Sequence, residues 1–515
     1  MRRMEVQSAA DLGSDHELSC DVCIIGSGAG GAVLAAGLCE QGLEVVMLEE
    51  GAYRTAEDFR TLSERINTPM LYQERGTRST ADLAITILQG RTVGGTTTVN
   101  WTTCYRTPDR ILAHWREHMG LEALTPEEMA PHFQAVEERL HIERWLEGLV
   151  NPNNGVLARG CAALGWESHV LRRNVLGCAN SGYCGFGCPF DAKQAMHLTY
   201  LPDAVADGLE LWSCARAERI EVDGERAVAV HAVAMERDRD RALSRRITVR
   251  PKVVAVCGGA INSPALLQRS GIDHGPLGRR TFLHPVVAVP GVYSERIDPF
   301  YGAPQSVSSH HFIDRGAEKV GYFLEAAPMH PMLTGTAMPI VGERQAKEMA
   351  NLAHISGLIA LHVDGLLPGD DGGTVSAKPD GRIALDYPVR PWIREAMAAS
   401  HVSLAKVHLA AGAERVFTMH GDPVELRSDA DLPQLATRRY GAHEHAIFSA
   451  HQMGGCTMHA DPDQGVVDPQ HRHHRVPNLF VVDGSALPTA LGVNPSETIY
   501  GLAHRARRFV GEAAS

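Results

Sequence analysis

The sequence has no uninterrupted apolar run near the roughly 20 residues a bilayer crossing needs, which excludes a membrane-spanning helix. Residues 1 to 17 are polar and acidic with no apolar h-region, so they do not read as a secretory signal; a disordered or loosely docked tail is expected. No basic block stands out, and the net charge of −12 argues against a nucleic-acid surface. The cysteines do not form an even set: there are eleven, mostly single within apolar runs such as those of Cys39 and Cys257, as reduced thiols of a cytoplasmic protein usually are. Cys20 and Cys23 form a CxxC at the start of a strand, where positions three apart face opposite sides, and read as two separate small side chains. Only one GxGxxG unit is found, which excludes a two-nucleotide NAD(P)H reductase. A chain of 515 residues, 44% hydrophobic and 21% charged, is ordinary for a soluble enzyme with two interleaved domains.

The stretch Asp21 to Gly51, DVCIIGSGAGGAVLAAGLCEQGLEVVMLEEG, reads as a βαβ unit for a dinucleotide. An apolar run leads into Gly26, Gly28 and Gly31, a small-residue helix follows, and a second apolar run ends at Glu49. Gly26 permits a tight turn, Gly28 lets backbone N–H groups approach a pyrophosphate, and Gly31 lets the helix pack close to the sheet. Glu49 stands where a carboxylate can accept hydrogen bonds from an adenosine ribose. The phosphates would meet the positive end of a helix dipole.

Farther on, GRTVGGTTTVNWTT runs from Gly90 to Thr103. Gly94 and Gly95, followed by the hydroxyl of Thr96 and by Asn100, suit a backbone lying against something flat and polar; a simple turn before a β-branched strand is the other reading. Together with the first βαβ unit, this segment resembles the glucose-methanol-choline oxidoreductase family, whose members hold FAD. The resemblance implies that Gly94, Gly95, Thr96 and Asn100 lie along the flavin and pyrophosphate. Some relatives carry a histidine before the asparagine that links to the flavin; this chain has Val99, so the resemblance implies non-covalent FAD.

Cys178, Cys184 and Cys188 lie in GCANSGYCGFGCPFDAK, at separations of six and four. Glycines can turn N–H groups toward sulfide, and the CxxxCP ending matches ferredoxin runs, so three thiolates suit a 3Fe-4S cluster. The spacing also resembles cluster-bearing bacterial FAD-dependent sugar dehydrogenases. A metal-free loop stays open as an alternative, as does zinc with His197 nearby. A cluster would send electrons to a protein or quinone acceptor; without one, oxygen could be the acceptor.

Strand-like patterns from Leu209 to Val233 and from Ile247 to Cys257 are broken by a hairpin signal at Asp223 to Glu225. The segment from Gly259 to Ile272 resembles the family signature GAxxSPxLLxxSGI, with Asp273 where a glycine usually follows, and a helix is expected from about Asn262. By the same resemblance the backbone near Ala217 should pass the adenine. Helices between Pro108 and Leu149 should cap one edge of the nucleotide domain, with Trp115 and Trp145 as packing residues. Residues 282–433 turn to short alternating segments, an antiparallel sheet over the flavin. There Met329, Met332 and Met338 suit a bulky apolar alcohol or an ordinary core, and Glu325 is a further candidate acid or base.

The fold expected is therefore α/β, a Rossmann-like FAD-binding domain (18–107, 170–281 and 440–515) interleaved with an α+β substrate domain (282–439) having an antiparallel sheet, with a helical cap over 108–169. The end of the chain carries the chemistry. His451 precedes a glycine-rich turn, and Asn494 and Pro495 open a helix; this order, with GVNP, resembles the cholesterol oxidase and long-chain alcohol oxidase branches. Oxidising an alcohol removes a hydride from carbon and a proton from oxygen. His451 suits the base and Asn494 the hydrogen-bond donor to the same oxygen, while the helix from Pro495 directs its positive end at the flavin. Resemblance places Asp483 and Gly484 at the pyrophosphate. The histidines of QHRHHR (His471, His473 and His474) read as a solvated turn. The activity implied is FAD-dependent alcohol oxidation; a lyase on the same scaffold would keep the histidine and FAD without net redox.

Overall fold

A computed structural model describes residues 4–515. The apolar run of strand His16–Ile25 is central to an eight-stranded sheet. Val45–Leu48 pairs with it on one side and the long strand Ala242–Val256 on the other, both parallel. Beyond Val45–Leu48 the sheet continues through Glu210–Ser213 to Gln7–Ser8. On the far side, Ala215–Asp223, Arg226–Met235 and Ala242–Val256 form an antiparallel meander, its first turn at the expected hairpin. Leu479–Val481 joins the C-terminal end of Ala242–Val256 in parallel, bringing the last part of the chain to the glycine turns.

Close packing explains the small residues of helix Ala29–Glu40. It lies against helices Ser496–Ala514 and Tyr200–Ala206. A Cβ on Gly30 would stand 1.8 Å from the Val482 carbonyl oxygen, and one on Gly31 would stand 2.0 Å from that of Gly26. No alternative rotamer relieves a clash with backbone, so the helix reaches the sheet only with hydrogen at both positions.

The second sheet has nine strands and is mostly antiparallel, with Val286–Val292 and Ile355–His362 at its centre and Tyr322–Ala326 beside them. Ile447–Ser449 pairs antiparallel with Val286–Val287 and parallel with Ile85–Ile87, so three distant stretches of chain meet there. Helix Pro391–Ala410 covers the sheet and packs against helix Pro152–Leu164. Its buried residues, among them Ile393, Met397, Leu404 and Val407, contribute to one apolar cluster with the sheet's Val287, Val289, Leu324 and Leu358.

Three expectations are corrected. The N-terminal segment is docked over its described residues: Gln7–Ser8 adds a parallel edge strand, Met4 and Ala9 are buried, and the Ser213 hydroxyl donates to the Gln7 carbonyl at 3.0 Å. A two-residue strand has too short a pattern to be read from polarity. Within 108–169, helix Pro126–Arg139 packs on Ser496–Ala514, but Pro152–Leu164 backs the second sheet and does not cap the nucleotide-side sheet. His471 and His473 are each 1% exposed rather than solvated. The His471 Nδ1 bonds the Val481 carbonyl at 3.0 Å, and the His473 Nδ1 accepts from the Arg475 and Val476 N–H groups, so both imidazoles build the turn from inside.

Candidate active site

A cavity of about 1360 Å³ opens between the glycine turns of the first sheet and the segments around His451 and Asn494. A pocket for one small ligand usually holds about 300–1,000 Å³, so this one has room for a dinucleotide and a substrate. Gly26, Gly28, Glu49, Gly95, Thr96, Asn100, Ala217, His451, Asp483, Gly484, Asn494 and Pro495 all line it. Gly31 and Gly94 do not. Gly31 serves the helix packing described above, and the Gly94 N–H donates to the Ser27 hydroxyl at 3.0 Å.

The turns form a backbone cradle. Gly26 has φ +104, and a Cβ there would stand 2.4 Å from the Cys257 carbonyl oxygen. Gly95 has φ +54, and its Cβ would stand 2.8 Å from the Gly28 Cα, so the two glycine loops touch. At both positions a side chain would collide with neighbouring backbone, so the turns keep this shape only with glycine. Glu49 is buried and tied down: it accepts from the Ser27 N–H (3.0 Å), the Ser27 hydroxyl (2.6 Å) and the Gly51 N–H (2.8 Å). Burial raises its pKa, and those three hydrogen bonds oppose the rise. Asp483 plays a similar part at the other wall, accepting from the Gly259 N–H (2.7 Å), the Ser263 hydroxyl (2.6 Å) and the Ser485 N–H (2.7 Å). Much of its hydrogen-bonding capacity shapes the Gly258–Gly259 turn. Ser27, Gly30 and Ser263 were not singled out from the sequence; the signal available was their position inside the two glycine-rich turns.

At the far end of the cavity the Asn494 Nδ2 lies 3.3 Å from the His451 Nε2. The other face of the His451 ring meets His284, with Nδ1 to Nδ1 at 3.1 Å. The His284 Nε2 accepts the Gly492 N–H at 3.1 Å, which leaves its proton on Nδ1. His284 therefore donates to the His451 Nδ1, and neutral His451 carries its own proton on Nε2, toward the cavity. With the Asn494 amide turned so that Oδ1, otherwise without a partner, faces it, that N–H finds an acceptor. Burial lowers His451 to about 4 and holds His284 well below the usual imidazole value, so both are neutral near pH 7. Sequence reading missed His284, whose contact spans 167 positions.

Glu325 stands behind this pair in strand Tyr322–Ala326, wholly buried. Its Oε2 accepts from the Gln305 amide at 2.8 Å. Burial pushes it up to about 8, and the neighbouring Asn494 side chain opposes the rise. The methionines contribute nothing to the cavity lining: Met329 and Met338 pack with Ile355, Phe417 and Met419 in a separate cluster. Trp115 is packing, as expected, and its indole N–H donates to the Thr489 hydroxyl at 2.9 Å. Val99, where a flavin-linking histidine stands in some relatives, is buried at the cavity wall.

The cysteine loop packs behind the cavity lining and contributes no residue to it. Cys184 is buried, Cys178 and Cys188 are half-buried, and all three are free. The loop is pinned to the cavity by the Tyr72 hydroxyl, which donates to the Gly185 carbonyl at 2.6 Å, and by the Lys193 ammonium, which donates to the carbonyls of Cys184 (2.7 Å) and Asn100 (2.9 Å). Lys193 and Arg173 are buried cations near Cys184, and the Arg173 Nε and Nη1 have no hydrogen-bond partner. Cys20 and Cys23 are separately buried free thiols.

A mixed sheet with a parallel core and glycine turns, an acid closing the second strand and a mostly antiparallel partner sheet over the cavity define a flavoprotein oxidoreductase architecture. An FAD-binding domain model matches residues 19–92, and the two GMC oxidoreductase models match residues 68–286 and 370–503. A GMC-type oxidoreductase of Mycobacterium tuberculosis is 30% identical over 489 residues, covering 94% of this chain and 74% of that protein. The long-chain-alcohol oxidase FAO4B of Arabidopsis thaliana is 29% identical over 530 residues, covering 97% of this chain and 68% of that one. Among solved structures, pyridoxine 4-oxidase superposes with a TM-score of 0.71 at 20% identity, covering 95% and 99% of the two chains. Formate oxidase of Aspergillus oryzae gives 0.70 at 15%, covering 96% and 99%. The chain belongs to the GMC oxidoreductase family. No helix among the described residues is long and apolar enough to cross a membrane.

Proposed function

We propose that the chain oxidises an alcohol to a carbonyl with non-covalently held FAD, the reacting oxygen lying between His451 and Asn494. The observation that carries this reading is the 3.3 Å approach of those two side chains on the wall of the glycine-lined cavity. Gly26, Gly28, Gly95, Thr96, Asn100, Asp483, Gly484 and Pro495 would hold the cofactor, with Glu49 and Ala217 toward its adenosine end. FAD, when bound, supplies a hydride acceptor. The buried Val99 gives no side-chain atom for a covalent link, which supports a non-covalent cofactor.

The protein's share is the proton and the charge on oxygen. His451 was expected to be the base. Its Nε2–H tautomer would make it a donor to the substrate oxygen once the alcohol is bound, and converting it to an acceptor would cost the Gly492 N–H its partner, about 1–3 kcal/mol for a buried donor. Glu325, raised to about 8, is then the group left to accept the proton, directly or through one water, with Asn494 between it and His451. Helix Ser496–Ala514 starts at the cavity, and its positive end stabilises negative charge there by up to about 2 kcal/mol.

A long aliphatic alcohol is the substrate class favoured by likeness to the long-chain-alcohol oxidases; the methionines no longer support it. A 3Fe-4S cluster at Cys178, Cys184 and Cys188 rests on the spacing of the three thiols; burial raises the Cys184 thiol, and the buried charges of Arg173 and Lys193 oppose that rise. Such a cluster would favour a protein or quinone electron acceptor. A cytoplasmic location is supported by eleven free cysteines. The deciding experiment is an anaerobic visible spectrum of purified FAD-loaded protein before and after addition of long-chain alcohols. Bleaching near the flavin band, lost in His451→Ala with FAD retained, supports the reading; substrate turnover without bleaching would favour a lyase.

A further inference from the structure

Three imidazoles with no part in the reaction converge within the second half of the chain. His401 lies on helix Pro391–Ala410, His420 just beyond strand Arg415–Phe417, and His445 just before strand Ile447–Ser449. Their exposures are 0%, 3% and 4%, and one ring nitrogen of each lies within 4.8 Å of the other two. An antiparallel bridge joins His420 to His445, and the ring of Tyr440 packs 5.1 to 5.4 Å from all three.

Hydrogen bonding among these groups does not close. The His401 Nδ1–H donates to the Met397 carbonyl at 2.9 Å, so its Nε2 offers a lone pair. That lone pair meets the His445 Nε2 at 2.9 Å. If His445 supplies the proton there, its Nδ1 is left without a partner, as are both His420 ring nitrogens and the Tyr440 hydroxyl. The backbone at Arg439 and Ala446 passes near these rings without forming a proper hydrogen bond. Buried polar atoms are rarely left this way, and several at one spot call for a ligand.

We propose that His401, His420 and His445 bind a divalent transition ion, zinc being the natural choice for three imidazoles, with a fourth position open to water or the Tyr440 hydroxyl. Each ring offers one ligand atom. The His401 Nδ1–H on a carbonyl is the outer bond that ligating histidines generally keep, fixing the ring so that Nε2 faces the metal. A surface depression of about 530 Å³ lies on the Tyr440 side, lined by Arg394, Arg438, Arg439, Tyr440 and Glu444. The ion would join a long helix, the end of a hairpin arm and the segment that runs through Ile447–Ser449 to His451. Its role is structural, holding that segment in place.

The test uses untagged, FAD-loaded protein stripped with a chelator, incubated with excess Zn²⁺, desalted and analysed for metal. About one zinc per chain is expected, with a rise in Tm over the stripped protein, and His420→Gln and His445→Gln should each lose both. Co²⁺ in place of zinc should give the visible bands of a low-symmetry site, read on wild type alone should a variant fail to fold. Wild-type protein that keeps no zinc and shows no cobalt bands overturns the proposal. So does zinc retained undiminished in the folded variants, which would place it at surface pairs such as His114 and His118.

Discussion

His284 Nδ1 lies 3.1 Å from His451 Nδ1, and because the Gly492 N–H occupies the other nitrogen of His284, the direction of the hydrogen bond is fixed. A backbone amide thus selects the tautomer of a side chain two bonds away. His284→Phe keeps bulk and removes the donor, freeing His451 to carry its proton on either nitrogen. The expected result is retained FAD and a fall in kcat on the order of 10- to 100-fold with a changed pH profile. Unchanged kinetics would show that the tautomer does not matter.

If Glu325 accepts the proton, kcat should rise with pH through about 8 as the carboxyl ionises, and Glu325→Gln should flatten that rise. His451, lowered to about 4, would give no inflection between pH 6 and 9. A rate profile flat in that interval in wild type returns the base role to His451.

Gly31→Ala places a methyl 2.0 Å from the Gly26 carbonyl oxygen. The helix must then move from the turn, and the purified variant should contain little FAD, measured as the ratio of flavin to protein absorbance. A stoichiometric flavin content would contradict the packing argument.

Stability should fall in acid. His310, His362, His408 and His504 are all lowered to about 4 by burial, and His471 to about 3. Below the ordinary value of 6.5 the unfolded chain takes up protons that the folded chain refuses, so stability is lost as pH falls from 6.5 toward 4. The slope is about 1.4 kcal/mol per pH unit for each group fully within that window. Buried Glu325 acts in the opposite sense: the folded carboxyl keeps its proton to about 8, so its contribution declines as pH rises from 4.5 to 8. Denaturant midpoints across pH 4 to 8 test both signs; a midpoint that did not move below pH 6.5 would refute the first.

Iron analysis of protein prepared without oxygen addresses the cysteine loop. About three irons per chain are expected, with Cys184→Ser losing iron and keeping flavin. Iron-free wild type would leave Cys178, Cys184 and Cys188 as ordinary thiols of a packed loop.

Features encoded in adjacent residues were legible in the sequence. The turns at Gly26 to Gly31 and Gly94 to Gly95, the hairpin at Asp223 to Glu225 and the helix from Asn262 announce themselves by composition, and all line up with observed elements or turns. Relations between remote segments were not legible. The meeting of His284 with His451 and of His420 with His445 follows strand pairing, and that of His401 with them follows the packing of its helix, none of which a periodicity encodes. Glu325 could be seen as a candidate but not placed, since its neighbourhood with Asn494 depends on the register of Tyr322–Ala326 against Ile355–His362. The N-terminal segment and the buried His471 and His473 looked polar because residue type, rather than a partner, was all there was to read.

The three-way junction at Ile447–Ser449 has a consequence for synthesis. The strand that aims His451 is held by residues 85–87 and 286–287, and Asn494 arrives later still. A nascent chain can form its first nucleotide-binding turn early, but the pairing of His451 with Asn494 must wait until residues 85–87, 286–287 and 494 have all been made, so a product stopped before Asn494 would lack the proposed pair.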